Sequence, residues 1–224
     1  MIEKILKQNS VITIIGSGGK TTTMYYLAEK FNGDVLITTT TKIFYTDRYP
    51  VIISDKIKDF LSNNNRIIVA GSGINEENKI TPLNTDLLKE LKKYFQLIII
   101  EGDGSKGKSL KSYREYEPVI PDFTDILITV IGFDVFNEPF SDKIVHRFDL
   151  MKKIVNFPEN TKITVPELLE IMEKCYFKVI PHWTENFLLI NKVKKHYLKD
   201  AEKLKELLLK KGKFKEIFIQ TYSE

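Results

Sequence analysis

Residues 12–23, ITIIGSGGKTTT, constrain the chain more than any other stretch. An apolar run leads into a glycine-rich turn, and Lys20 follows with three threonines after it. That order predicts a strand that ends in a phosphate-binding turn and opens directly into a helix. Gly16, Gly18 and Gly19 carry no Cβ and tolerate positive φ, so the backbone N–H groups of residues 16–22, Ser17 among them, can converge on a polyphosphate. Lys20 supplies a point charge to the terminal phosphates. Thr21 or Thr22 offers a hydroxyl to Mg²⁺ where the helix's positive end attracts the same anion.

The turn departs from the P-loop spacing G-x-x-x-x-G-K-[ST], because Ile14 stands where the first glycine belongs. It is a shortened variant, and Gly16-Ser17-Gly18-Gly19-Lys20-Thr21-Thr22 resembles the G-T-N-G-K-T-[ST] loop of Mur-type ATP-dependent ligases. The expected ligand is a nucleotide, ATP with GTP left open, accompanied by Mg²⁺.

Apolar runs and helical spacing alternate along the chain. Residues 11–15, 35–39, 51–53, 66–70, 97–100, 125–132, 187–190 and 214–220 read as strands, and residues 21–31, 85–95, 164–175 and 198–208 as helices. This alternation predicts an α/β fold: a largely parallel sheet flanked by helices, in a P-loop NTPase-like nucleotide-binding arrangement. The 224 residues suit one α/β domain, with a small subdomain after about residue 150 as a variant of that organisation. Thr164-Val165-Pro166-Glu167 is a capping box with proline in the first turn, marking a helix start.

In such sheets ligands bind at the carboxyl ends of strands, which singles out the residues just past two of the runs. Residues 38–41 are four threonines capped by Lys42. Thr40 and Lys42 are candidate substrate contacts, the plain alternative being that β-branched threonines extend the strand. After residues 97–100 comes Glu101-Gly102-Asp103-Gly104-Ser105. Glu101 and Asp103 share a face of an extended backbone, and a carboxylate opposite the lysine can hold Mg²⁺ or its waters. Thr21, Glu101 and Asp103 are therefore metal-ligand candidates, against the reading of an acidic turn. Residues 105–121, with Lys106, Lys108, Lys111 and Arg114, read either as a lid over an anionic substrate or as a solvated loop. Asn191-Lys192-Val193-Lys194 resembles the N-K-x-D base-recognition motif, but Lys194 replaces the guanine-binding aspartate, so guanine specificity is not supported.

Composition excludes several classes. Thirty-four basic residues against 30 acidic ones give a net charge of +4, too balanced to imply nucleic acid. The excess concentrates in residues 192–216, with ten lysines and four acids, which reads as a solvated helical face or a surface for a phosphate-rich partner. One cysteine, Cys175, rules out an internal disulfide framework and is expected to be buried and inert. No apolar run approaches the roughly 18 residues of a membrane span and no cleavage-site pattern follows the start, so a cytoplasmic location without a membrane partner is expected.

Several motifs in order resemble the selenium-dependent hydroxylase accessory proteins of the YqeC type. They are residues 16–22, residues 39–42, Glu101 to Ser105, Ser109-Leu110-Lys111, Glu117-Pro118-Val119-Ile120-Pro121, Val130-Ile131-Gly132-Phe133-Asp134 and His146-Arg147. Gly102 stands for alanine, Ser109 for proline and Tyr116 for a histidine of that pattern. The resemblance implies a nucleotide-binding accessory protein for maturation of selenium-dependent molybdenum hydroxylases, with a molybdopterin-type cofactor or a client hydroxylase as partner. The chemistry that the residues themselves offer is Mg²⁺-dependent phosphoryl or nucleotidyl transfer. Lys20, Asp103 and His146 are the catalytic candidates, and Lys111, Asp134 and Arg147 join Thr40 and Lys42 as substrate contacts. Two other functions stand beside this one: a Mur-like ATP-dependent ligase or small-molecule kinase, and a nucleotide-sensing chaperone that binds its client without net chemistry.

Overall fold

The computed structural model describes residues 1–53, 57, 66–158 and 160–221. The fold is α/β, with a large, mostly parallel eight-stranded sheet flanked by helices. In chain order the elements are β1 (Ser10–Gly16), α1 (Lys20–Lys30), β2 (Val35–Thr39), β3 (Ile43–Phe44), β4 (Val51–Ile53), β5 (Ile67–Gly71), β6 (Lys79–Ile80), α2 (Thr85–Leu91) and β7 (Leu97–Glu101). After these come β8 (Leu110–Lys111), β9 (Ile126–Gly132), β10 (Val145–His146), α3 (Phe148–Val155), α4 (Val165–Ile171), β11 (Glu185–Val193), α5 (Leu198–Leu209) and β12 (Glu216–Thr221). Two compact units divide the chain: residues 1–14, 21–104 and 119–126 form the first, and residues 15–20, 105–118 and 127–224 the second.

In the first unit β7 lies between β1 and β2, all parallel, with Ile99 opposite Ile12 on one side and Ile37 on the other. Beyond β2 come β5 and β4, also parallel. Every residue of β2 and β7 is buried, the reason these strands read as unbroken apolar runs rather than as alternations. The core on one face is Val11, Leu36, Ile68, Ile98 and Ile100 packed with Leu88 and Leu91 of α2. Asn84 caps α2, its side chain accepting from the Asp86 N–H at 2.8 Å. The helix ends at Leu91 rather than continuing to Phe95, which closes in turns.

In the second unit β11 pairs with β12 in parallel, and β8 pairs with β10 so that Lys111 lies opposite His146. The stretch expected to be irregular, residues 105–121, therefore contains a short paired strand. The capping box at Thr164 and Glu167 forms as the sequence implies. Past Ile171 the backbone continues as a π-helical turn, Met172–Tyr176, a rare element that shifts the facing of the residues after it. Leu168, Met172, Cys175 and Tyr176 join Ala201, Leu204 and Leu208 of α5 in the core. Leu198, the first residue of α5, is 39% exposed. Among the described residues no helix is long and apolar enough to cross a membrane.

Candidate functional site

Residues 15–20 belong to the second unit, where β9, β11 and the π-helical turn hold them. Gly16, Gly18 and Gly19 all have positive φ. The Ser17 N–H donates to the Val130 carbonyl at 2.8 Å, and the Gly18 N–H to the Lys108 carbonyl at 3.1 Å. These two amides are thus engaged by neighbouring backbone. Gly18 approaches β9 so closely that a Cβ there would stand 2.3 Å from the Gly132 nitrogen.

Two contacts from far along the chain complete this setting. The Asn191 Nδ2 donates to the Gly18 carbonyl at 2.8 Å, and a Cβ on Gly19 would lie 2.3 Å from the same nitrogen. Asn191 reaches the loop because the β11–β12 register shifts between Ile190 and Val193 and Lys192 adopts φ of 58°; an irregularity of this kind re-aims side chains at a strand end. Tyr176 closes the other side, with its hydroxyl 3.5 Å from Ser17 Oγ and accepting from the Lys111 N–H at 3.0 Å.

Lys20, only 4% exposed, turns its ammonium back to donate to the Gly16 carbonyl at 2.9 Å and to Ser105 Oγ at 3.3 Å. An ammonium removed from water costs several kcal/mol, on the order of the penalty for any buried ion, unless oxygens replace its hydration. The loop provides such oxygens and keeps the charge at its own mouth.

In the first unit Thr21, the next residue, donates its hydroxyl to Glu101 Oε2 at 2.8 Å, while Thr22 is exposed on α1. Of the two threonines offered by the sequence, Thr21 is therefore the one beside a carboxylate. Glu101 ends β7 and is 6% exposed, and Asp103 is fully buried. Thr39 and Thr40 lie at the carboxyl end of β2, where Thr39 Oγ1 donates to the Glu101 carbonyl at 2.9 Å and Thr40 Oγ1 to the Val119 carbonyl at 2.7 Å. Lys42 is exposed.

The remaining predicted residues gather in the second unit. Arg147 grips Glu117 with both guanidinium nitrogens, and the fully buried Lys111 places its ammonium 3.7 Å from the same carboxylate and 4.6 Å from the centre of the Tyr113 ring. His146 stands beside this cluster. Burial first, then the charges of Lys111 and Arg147, push its pKa down to about 4, so the imidazole is neutral near neutral pH. Asp134 pairs instead with Lys192, Oδ2 to Nζ at 3.0 Å, and Lys192 also donates to Ser109 at 3.2 Å. Burial raises the Cys175 thiol to about 11, which leaves it protonated and unreactive as expected.

Sequence reasoning did not find the roles of Asn191, Tyr176 and Glu117. Asn191 was visible only as part of a base-recognition likeness, and Tyr176 carried no local signal.

Fold and loop together define an α/β protein with a glycine–lysine turn at the carboxyl end of a buried parallel strand. Within that class the chain belongs to the YqeC family, whose family model matches residues 12–149. A protein of Escherichia coli (strain K12) described as "Uncharacterized protein YqeC" is 27% identical over 208 residues, covering 83% of this chain and 77% of that protein.

Proposed function

We propose that the chain binds a nucleoside triphosphate with Mg²⁺ through residues 16–22, as a shortened P-loop, and performs phosphoryl or nucleotidyl transfer in the maturation of selenium-dependent molybdenum hydroxylases. The observation that carries the reading is Lys20, a nearly buried ammonium folded onto the Gly16 carbonyl of its own glycine turn. An incoming phosphate would exchange that neutral oxygen for charged ones, and hydrogen bonds to charged groups contribute about 1.5–3 kcal/mol. With Ser17 and Gly18 N–H groups engaged elsewhere, Lys20 and the start of α1 carry the phosphate contact.

Thr21 Oγ1 and Glu101 Oε2, 2.8 Å apart, are two hard oxygens of the kind Mg²⁺ accepts. That ion characteristically takes one or two carboxylates and completes its shell with phosphate and water. Among the described residues no cluster of three or more histidine, cysteine or acidic side chains forms a separate metal site. The donor set fits a nucleotide-borne ion, which when bound would neutralise charge developing on the phosphates. Glu101 would then hold the ion and Lys20 would meet the terminal phosphate, while Asp103 remains the second acidic candidate. ATP is the expected nucleotide, and Lys42 is the one exposed side chain among the candidate second-substrate contacts, Thr40, Lys42, Lys111, Asp134 and Arg147. A neutral His146 adds no positive charge beside Lys111 and Arg147, and its free ring nitrogen lone pair makes it the proton-acceptor candidate.

The test is equilibrium binding of a fluorescent N-methylanthraniloyl ATP with and without Mg²⁺, followed by phosphate release with and without a molybdopterin nucleotide. Lys20→Ala should weaken binding about tenfold to 150-fold, the equivalent of about 1.5–3 kcal/mol, and abolish turnover. Tight binding with no turnover under any condition would convert the reading to a nucleotide sensor. No binding by the parent protein would refute it.

A further inference from the structure

The second unit contains a cavity of about 710 Å³, within the range of sites for small ligands. Its walls are mainly apolar: Leu150 and Ile154 on α3, Val179 after the π-helical turn, and the rings of Tyr113 and Tyr116. Two aromatic and three branched aliphatic residues lining one space favour a flat, unsaturated ligand, which gains from aromatic contact as well as from desolvation.

The charges around the cavity are unbalanced. Glu115 and Glu117 line it, and so do Arg114 and Lys178. Glu117, however, already serves two further cations, Arg147 through both guanidinium nitrogens and Lys111 at 3.7 Å. With Glu117 taken up by these two cations, which do not themselves line the cavity, Glu115 alone stands against the lining cations Arg114 and Lys178. Arg114 and Lys178 are exposed and sit on long flexible stems, so each can turn toward a ligand without unfolding its element. Arg114 already bends over the wall, donating to the Tyr116 hydroxyl at 2.6 Å.

We propose that this cavity is a binding site for a planar aromatic or heteroaromatic molecule carrying an anionic group, the ring lying among Tyr113, Tyr116, Leu150, Ile154 and Val179 and the anion meeting Arg114 and Lys178. The lining shares no residue with the glycine turn, and its assignment does not rest on nucleotide binding there.

Three probes of one shape and different charge test it: 2-naphthoate, neutral 2-naphthamide and cationic 2-naphthylmethylammonium, titrated into the full chain by calorimetry and ligand-observed NMR. The expected result is 1:1 binding of 2-naphthoate, at least tenfold tighter than 2-naphthamide, with the cation weakest. Lys178→Ala should weaken 2-naphthoate about fivefold or more, and Ile154→Trp, which fills the space, should abolish its binding while leaving nucleotide affinity unchanged. Lys20→Ala should leave 2-naphthoate affinity as it was. Equal affinity for all three probes, retention of binding in Ile154→Trp, or loss of binding in Lys20→Ala would each overturn the proposal, and so would no binding of 2-naphthoate at millimolar concentration. Should Ile154→Trp fail to fold, the exposed Lys178→Ala decides by itself.

Discussion

Replacing Gly18 by alanine tests how tightly the glycine turn is built into the second unit. At φ of +85° the alanine would sit in the left-handed region, which costs an L-residue about 1–2 kcal/mol. The new methyl would stand 2.3 Å from the Gly132 nitrogen and 2.5 Å from its Cα. Both are main-chain atoms of a fully buried strand, so no side-chain rotation relieves the overlap. Forced backbone shifts of this kind add about 1–3 kcal/mol. The total, about 2–5 kcal/mol, should lower Tm by about 4–20 °C in a protein of this length, for which 1 kcal/mol corresponds to roughly 2–4 °C. Thermal and urea unfolding followed by far-ultraviolet circular dichroism and by the fluorescence of Trp183, the sole tryptophan and a member of the second unit, would measure it. Gly104→Ala is the control: no atom lies within 4 Å of the added Cβ, so its effect should stay within about 0.5 kcal/mol. If Gly18→Ala proves no less stable than Gly104→Ala, the close approach of the turn to β9 is wrong.

Other substitutions probe the neighbouring contacts. Glu117→Gln removes the carboxylate shared by Arg147 and Lys111 and should destabilise by about 3–5 kcal/mol in urea titrations; a loss under 1 kcal/mol, roughly a surface-pair value, would contradict the burial of that cluster. Asn191→Ala deletes the hydrogen bond to the Gly18 carbonyl and should cost about 0.5–1.5 kcal/mol and, under the proposed nucleotide reading, weaken that binding, whereas unchanged binding would show that the clamp is purely structural. His146 has a folded pKa lowered to about 4 from 6.5, so the unfolded chain binds its proton first. The associated stability is complete above about pH 6.5 and declines as pH falls toward 4. The full shift corresponds to about 3 kcal/mol, which solvent screening of a half-exposed ring reduces to about 1–2 kcal/mol; His146→Asn should flatten the stability profile over that window, and an unaltered slope would sink the assignment. Cys175 should resist 5,5′-dithiobis(2-nitrobenzoate) at pH 8 in the native protein and react fully in urea, and rapid native labelling would contradict its burial.

The elements were legible where local chemistry decides them. The Thr164–Glu167 capping box, the fully buried and mostly apolar strands β1, β7 and β9, and the Lys20–Thr21 opening of α1 all come from residue type and spacing within a few positions. Less legible were features set by partners far along the chain. Lys111 appears in a basic stretch that reads either as a lid over an anionic substrate or as a solvated loop, yet it is fully buried, with its ammonium 3.7 Å from the carboxylate of Glu117, six residues on. Arg147 reads as an anion contact for a substrate, while its guanidinium is held by Glu117. The glycines announce a cradle of amides, but which amides remain for a ligand depends on the Val130 and Lys108 carbonyls, and no short-range pattern specifies those. The π-helical turn that delivers Tyr176 to Ser17 likewise has no periodic signature.

The clamp on the glycine turn also sets an order of events in biosynthesis. Ser17 waits for a partner 159 residues later in the chain and Gly18 for one 173 residues later. At about 5–20 residues per second, Asn191 is polymerised roughly 9–35 s after the turn itself. Until then the Gly18 carbonyl and the Ser17 hydroxyl lack these partners, and a nascent chain ending at residue 149 has the whole family-matched region without either Asn191 or Tyr176. The native setting of the glycine turn is therefore completed late, when β11 and the π-helical turn have formed.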